Sequence, residues 1–242
     1  MTAGGVEGWP HNRLGQLPDL EVLRALVQKV RNAVMGEQDL SEALDIARLC
    51  ELGGFDVEET PLHGGEGRLQ ALLFPRARNR FSVYVDPEPP GGWAQMEPQI
   101  QAELREHRLR FRICHEVAHS FFFDRDGELP RAIVGTSAAQ EDICDRFASE
   151  LLVPREVVED LEPDASSVVH LHECFRVSIE AAARAFADVH HEHVIALFVG
   201  DSQTRRLQWS NCPELAPNLC ESAHSRACLE SRRQTIFVDS PC

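Results

Sequence analysis

The five residues His115-Glu116-Val117-Ala118-His119 constrain this chain more than any other feature. On a helix, histidines at this spacing lie one turn apart on one face. Two imidazoles so placed reach a single tetrahedral ion, and zinc suits that donor type. Glu116 stands beside them, where it can take a proton from an attacking water as general base. Cys114, Val117, Ala118, Phe121 and Phe122 recur at helical spacing on the side away from Glu116, so the helix has a packed face. The competing reading is an ordinary surface helix with a solvated histidine and glutamate.

A zinc site of this kind needs a third protein ligand. A third histidine in the spacing H-E-x-x-H-x-x-G-x-x-H is excluded, because Phe122 and Arg125 occupy the glycine and histidine positions. A Gly-Thr-x-x-Asp stretch is excluded as well, since Gly135-Thr136 is followed by Ala139 where the aspartate belongs. A glutamate fits. Glu141 lies at the start of the next helical stretch, with Asp145 one turn later on the same face. Like charges at that spacing repel unless a cation lies between them. Glu141 can complete a His₂Glu site for one Zn²⁺ per chain, and Asp145 can accept the free ring N–H of His115 or His119.

With 242 residues, 43% of them hydrophobic, the chain can fill one large domain, or one domain and an appendage. Periodicity predicts helices over 17–34, 40–52, 98–123, 138–153, 166–175 and 178–190. It predicts strands over 55–60, 67–75, 80–87, 193–201, 205–210 and 235–239, and a short helix near 220–228. Helices and strands are segregated, so the expected class is α+β. The expected organisation is a loose N-terminal tail over 1–16, a motif-bearing domain over 17–192, and a strand-rich extension over 193–242 that could sense a signal.

No apolar run approaches a membrane span, and the N-terminus lacks the pattern of a secretion signal, so a soluble cytoplasmic protein is expected. The net charge of −15 repels phosphate backbones. A DNA-binding regulator is therefore the weaker alternative. The stretch FRVSIEAAARAF reads like part of a helix-turn-helix, yet it offers only Arg176 and Arg184 to phosphates. No secretion signal accompanies the eight cysteines, so a disulfide framework is not expected, and the lack of a C-x-x-C pair argues against a zinc ribbon or a thioredoxin-type centre. Cys212, Cys220, His224 and Cys228 could form a second metal or redox site, but unrelated residues are the simpler reading. The histidine clusters at 170–173 and 190–193 are read as solvated or incidental, with nonspecific metal binding as the alternative.

The two helical stretches spell RFRICHEVAH and EDICDRFASELLVP. Together they resemble the ImmA/IrrE metallo-endopeptidases, whose pattern runs close to R-F-x-x-A-H-E-x-x-H and then E-x-x-A-[ND]-x-F-A-x-x-L-L-M-P. Arg110, Phe111, His115, Glu116 and His119 match the first half. Glu141, Asp145, Phe147, Ala148, Leu151, Leu152 and Pro154 match the second, with Val153 in place of methionine. The resemblance covers about residues 40–209 and is sharpest in these helices. It implies a zincin-like fold and a zinc peptidase that cleaves a partner transcriptional repressor, of the helix-turn-helix kind, to switch on a regulated stress response. His115, His119 and Glu141 would hold zinc, Glu116 would act as base and Asp145 would orient a ligand. A catalytically quiet zinc-binding interaction module is the alternative, and Glu116 discriminates, because a closed structural site has no use for a base.

Three further expectations concern the surroundings of the site. The strand at 80–87 would pair with the substrate backbone. Tyr84 on it is a weak oxyanion donor, a packed strand tyrosine being the simpler reading. Cys114 and Cys144 stand where the family has alanine and directly precede His115 and Asp145. They are small core residues, or else a redox brake on the ligands.

Overall fold

The computed structural model describes residues 9–10, 14, 17–36, 40–62, 70–76, 80–87, 97–124, 130–132, 137–200, 205–210 and 235–240. By its contacts the chain divides into two units, Met1–Leu152 and Val153–Cys242.

In the first unit, helix α1 (Leu20–Met35) starts at Asp19, whose side chain accepts the Val22 N–H at 2.9 Å. Its apolar stripe, Leu23, Leu26, Val27 and Val30, is buried. Arg31 on the same helix is only 1% exposed. Its guanidinium donates to the carbonyls of Leu151 at 2.9 Å, Leu40 at 3.2 Å and Glu42 at 2.7 Å. Arg110 likewise donates to the Leu44 carbonyl at 3.0 Å. These contacts explain why the helix expected from residue 40 begins later, as α2 (Ile46–Gly53). Carbonyls taken by distant arginines are not available to a helix ladder, and Asp45 supplies the cap instead, accepting the Arg48 N–H at 2.9 Å. The helix stops at Gly54, whose φ of +73° is left-handed. A Cβ on Gly53 would run into the rings of Phe55 and Trp9. Trp9, within the stretch expected to be a loose tail, is buried and packs edge-on against Phe55 and parallel to Phe121.

Strands β1 (Phe55–Glu59), β2 (Ala71–Arg76) and β3 (Arg80–Val85) form one sheet in the order β1-β3-β2. β3 pairs parallel with β1 and antiparallel with β2. Its alternate residues Phe81, Val83 and Val85 are buried, whereas Tyr84 is half-buried on the opposite face. β2 has no strand on its other side among the described residues.

Helix α3 (Pro98–His119) opens with proline in its first turn, where no donor is lost. One 3₁₀ turn, Ser120–Phe122, leads into β4 (Phe123–Asp124), which pairs with β5 (Arg131–Ala132). Helix α4 (Ala138–Leu152) packs on α3. Cys114, Val117 and Phe121 from α3 and its 3₁₀ extension, with Cys144, Phe147, Ala148 and Leu151 from α4, are all buried, and the Phe121 and Phe147 rings lie 5.6 Å apart. Burying each large side chain contributes about 1.5–3 kcal/mol, enough to hold the two helices in register.

The second unit contains α5 (Arg155–Glu159), α6 (Ala165–Phe175) and α7 (Ile179–Val189). The short α5 was not expected. Asp164 and Ser178 cap α6 and α7, their side chains accepting the Ser167 and Ala181 N–H groups. β6 (Val194–Gly200) is the centre of a sheet ordered β7-β6-β8, antiparallel to β7 (Arg205–Ser210) and parallel to β8 (Thr235–Ser240). Seven α-helices and three small sheets among the described residues make a mixed architecture. No described helix is long and apolar enough to cross a membrane. The expected helix near 220–228, with Cys212, Cys220, His224 and Cys228, lies outside the described residues.

Candidate metal centre and active site

The last turns of α3 and the first turns of α4 meet at one wall of a groove of about 520 Å³. His115, Glu116, His119, Gln140, Glu141 and Asp145 line it from the two helices. Residues 70–73, at the start of β2, line it from the sheet.

His115 Nε2 lies 3.0 Å from His119 Nε2 and 3.1 Å from Glu141 Oε2, and His119 Nε2 lies 3.5 Å from the same oxygen. Asp145 Oδ1 is 2.8 Å from His115 Nδ1. A carboxylate accepts, so Nδ1 carries the proton and Nε2 presents a lone pair to the centre. Electron pairs from two rings and a carboxylate therefore converge on one point, which calls for a shared proton or a cation. The titration tendencies agree. Burial lowers the His115 pKa, but the Asp145 hydrogen bond and the charges of Glu116, Asp145 and Glu141 outweigh it and hold that imidazole above its usual range. Burial and the neighbouring His115 push His119 the other way. One positive charge is favoured at the pair, not two.

The donor set fits a divalent ion. Ligand bonds of about 2.0–2.1 Å to a tetrahedral zinc imply ligand–ligand edges of about 3.3 Å. The three separations of 3.0, 3.1 and 3.5 Å bracket that value. Three protein ligands leave one of four positions for a non-protein ligand.

Glu116 is only 6% exposed, a feature its sequence position conceals. β2 covers it, and Leu73 supplies a backbone hydrogen bond to its carboxylate. Burial raises its pKa to about 7, with His115 opposing and Glu141 assisting. A carboxyl balanced there both accepts and releases a proton near neutrality.

Sequence reasoning missed two groove residues. Gln140 is buried, and its Nε2 lies 3.5 Å from His119 Nδ1, while its Oε1 is shielded without a hydrogen-bond partner among the described residues. Turning the amide over brings Oε1 to a protonated Nδ1, the tautomer that frees His119 Nε2 for the centre. The flag for Gln140 was its place immediately before Glu141. Arg112, one turn before Glu116, also lines the groove. Its Nε is shielded from solvent without a hydrogen-bond partner among the described residues. Burial, then the charge of Arg108, lower its pKa to about 10, so it remains a cation at neutral pH.

Tyr84, β3 and the two cysteines complete the surroundings of the groove. Tyr84 does not line the groove; its hydroxyl accepts from Arg76 Nη2 at 2.7 Å on the outer face of the sheet, because strand alternation sends Phe81, Val83 and Val85 to the core side. β3, paired on both sides, has no edge for a substrate strand. β1 and β2 are the outer strands of this sheet among the described residues, and β2 is the one that lines the groove. Cys114 and Cys144 are buried, and burial pushes both thiols well up, so the reactive thiolate is suppressed.

Residues 99–186 match the family model described as the IrrE N-terminal-like domain, Peptidase_M78. Over that stretch the chain is similar to the ImmA/IrrE family. The IrrE-like domain is metallopeptidase-like, and the matched segment runs from the first turn of α3 into α7, carrying His115, His119 and Glu141 of the groove's histidine–carboxylate cluster. The sheet of β1–β3 lies outside the match. No curated protein matches the chain.

Proposed function

We propose that this protein is a zinc-dependent endopeptidase of zincin-like fold that cleaves a partner protein, with Glu116 as general base. The observation that carries the reading is the triangle of His115, His119 and Glu141 beside a buried Glu116 in an open groove. His115 Nε2, His119 Nε2 and Glu141 hold the ion. Zinc in such a site polarises a carbonyl and makes a water more acidic. Asp145 fixes the ring of His115, and Gln140 fixes that of His119. Glu116 takes a proton from the attacking water and passes it to the departing amine, and the Leu73 N–H holds the carboxylate in place meanwhile.

The peptide lies along β2. In a strand, alternate residues turn both backbone groups to the same edge. Leu73 faces the groove through its N–H to Glu116, so Ala71 and Pro75 share its edge. Pro75 lacks an N–H, which suits the unpaired side of an edge strand. The Ala71 backbone and the Leu73 carbonyl are then the groups left for an extended substrate. Arg112 favours an acidic side chain on it. The repressor identity of the substrate, and the stress response its cleavage would release, come from the family resemblance alone.

The test is cleavage of a mixed peptide library read by mass spectrometry, followed by trials with helix-turn-helix repressors of the same cell. Wild type should cut, and Glu116→Gln should be slower by about 10²–10⁴ with its metal retained. Equal cleavage by the two proteins would remove Glu116 from the mechanism.

A further inference from the structure

A second convergence of donor atoms lies in the unit Val153–Cys242, in the turn between α7 and β6. The turn reads His190-His191-Glu192-His193 and is closed by the His193 N–H donating to the His190 carbonyl at 3.0 Å. The ring of His190 stacks on Phe186, with centroids 4.3 Å apart. Its Nε2 lies 3.1 Å from the Val158 carbonyl. A carbonyl only accepts, so Nε2 carries the proton and Nδ1 presents its lone pair. That Nδ1 is 3.9 Å from Glu192 Oε1, and His193 Nδ1 is 3.2 Å from the same oxygen. The two imidazoles meet nearly at right angles, at 83° with centroids 6.1 Å apart, so they converge on the carboxylate instead of stacking. One donor atom from each of the three residues lies within 4.8 Å of the others.

We propose that this turn is a second metal site, binding one divalent transition-metal ion of the zinc class through His190 Nδ1, His193 Nδ1 and Glu192 Oε1. Three arguments lead there. The donor set of two imidazoles and a carboxylate is one that zinc accepts. The distances need little adjustment, because 3.2 Å is already close to a tetrahedral edge and the longer 3.9 Å involves Glu192, whose side chain is 58% exposed and free to swing. The His190 and His193 side chains, by contrast, are 13% and 7% exposed and fixed by packing. Three ligands within four residues of a closed turn also lose little chain entropy on binding. His191, with its side chain 84% exposed and its Nδ1 3.9 Å from the other Glu192 oxygen, is not a ligand. The bound ion clips the end of α7 to the start of β6 and, through the Val158 carbonyl, to α5.

The experiment is zinc stoichiometry and affinity of the full chain, by equilibrium dialysis against zinc chloride with elemental analysis. Four proteins are compared: wild type, His190→Ala/His193→Ala, His115→Ala/His119→Ala, and Glu192→Ala. Wild type should bind two ions and each double variant one. Glu192→Ala changes an exposed side chain and should leave the fold intact, as circular dichroism would show, while weakening one of the two sites at least about tenfold. The proposal is overturned if Glu192→Ala binds like wild type, or if His115→Ala/His119→Ala binds no zinc at micromolar concentration while folded. Loss of the His115 site alone would count against the proposed peptidase and leave this turn site standing.

Discussion

Asp145 Oδ1 holds Nδ1 of His115 at 2.8 Å, across the packed pair of α3 and α4. This one contact sets the tautomer that leaves His115 Nε2 facing Glu141 and His119. Replacing Asp145 by alanine should weaken zinc binding by about 10–100-fold with the ligands all present. Competition against a chelator of known affinity measures it. Unchanged affinity would mean that the ring is held by packing alone.

Gln140 should act in the same way on His119. Gln140→Leu removes the amide beside His119 Nδ1 and should lower zinc affinity by about tenfold or more. Gln140→Glu keeps an acceptor oxygen and should bind zinc at least as well as wild type. If both variants bind alike, the 3.5 Å approach is incidental.

Much of this was legible in the chain, and the remainder was hidden for identifiable reasons. The helices carrying His115, His119, Glu141 and Asp145 show in the sequence because their chemistry and their packing both follow local, one-turn spacing. The start of α2 did not, because Arg31 and Arg110 reach across the fold to claim the carbonyls of residues 40, 42 and 44. Glu116 looked like the solvent side of its helix until β2, far away in sequence, was seen to cover it. β3, the strand expected to pair with a substrate, lies inside its sheet between β1 and β2, because strand order depends on non-local pairing. Gln140 and Arg112 carry no motif, and only the groove singles them out.

Arg31 should be a point of weakness. It satisfies three carbonyls from inside the core, two of them in the segment before α2 and one at the end of α4. Arg31→Leu leaves those acceptors buried without their donor, at about 1–3 kcal/mol each, so a loss of about 3 kcal/mol or more is expected. Urea unfolding followed by circular dichroism reads it. A change below about 1 kcal/mol would show that water replaces the guanidinium at little cost.

The buried thiols of Cys114 and Cys144, and the half-buried one of Cys50, should react slowly. Burial pushes Cys50 up to about 11 and raises Cys114 and Cys144 further. At pH 8 all three should therefore be alkylated much more slowly in the native protein than in urea, and Cys50 should speed up as the pH is raised towards its pKa. Timed iodoacetamide labelling with mass spectrometry resolves each site. Rapid native labelling of Cys114 or Cys144 would revive the redox brake.

The account rests on Glu141 holding a metal while Glu116 does not. Zinc content by elemental analysis, on wild type, Glu141→Ala and Glu116→Gln dialysed side by side, tests this most directly. Glu141→Ala should carry one equivalent less than wild type, and Glu116→Gln should carry the same amount as wild type. If Glu141→Ala keeps the full wild-type complement, or Glu116→Gln loses an ion, the His₂Glu centre with a separate base is wrong.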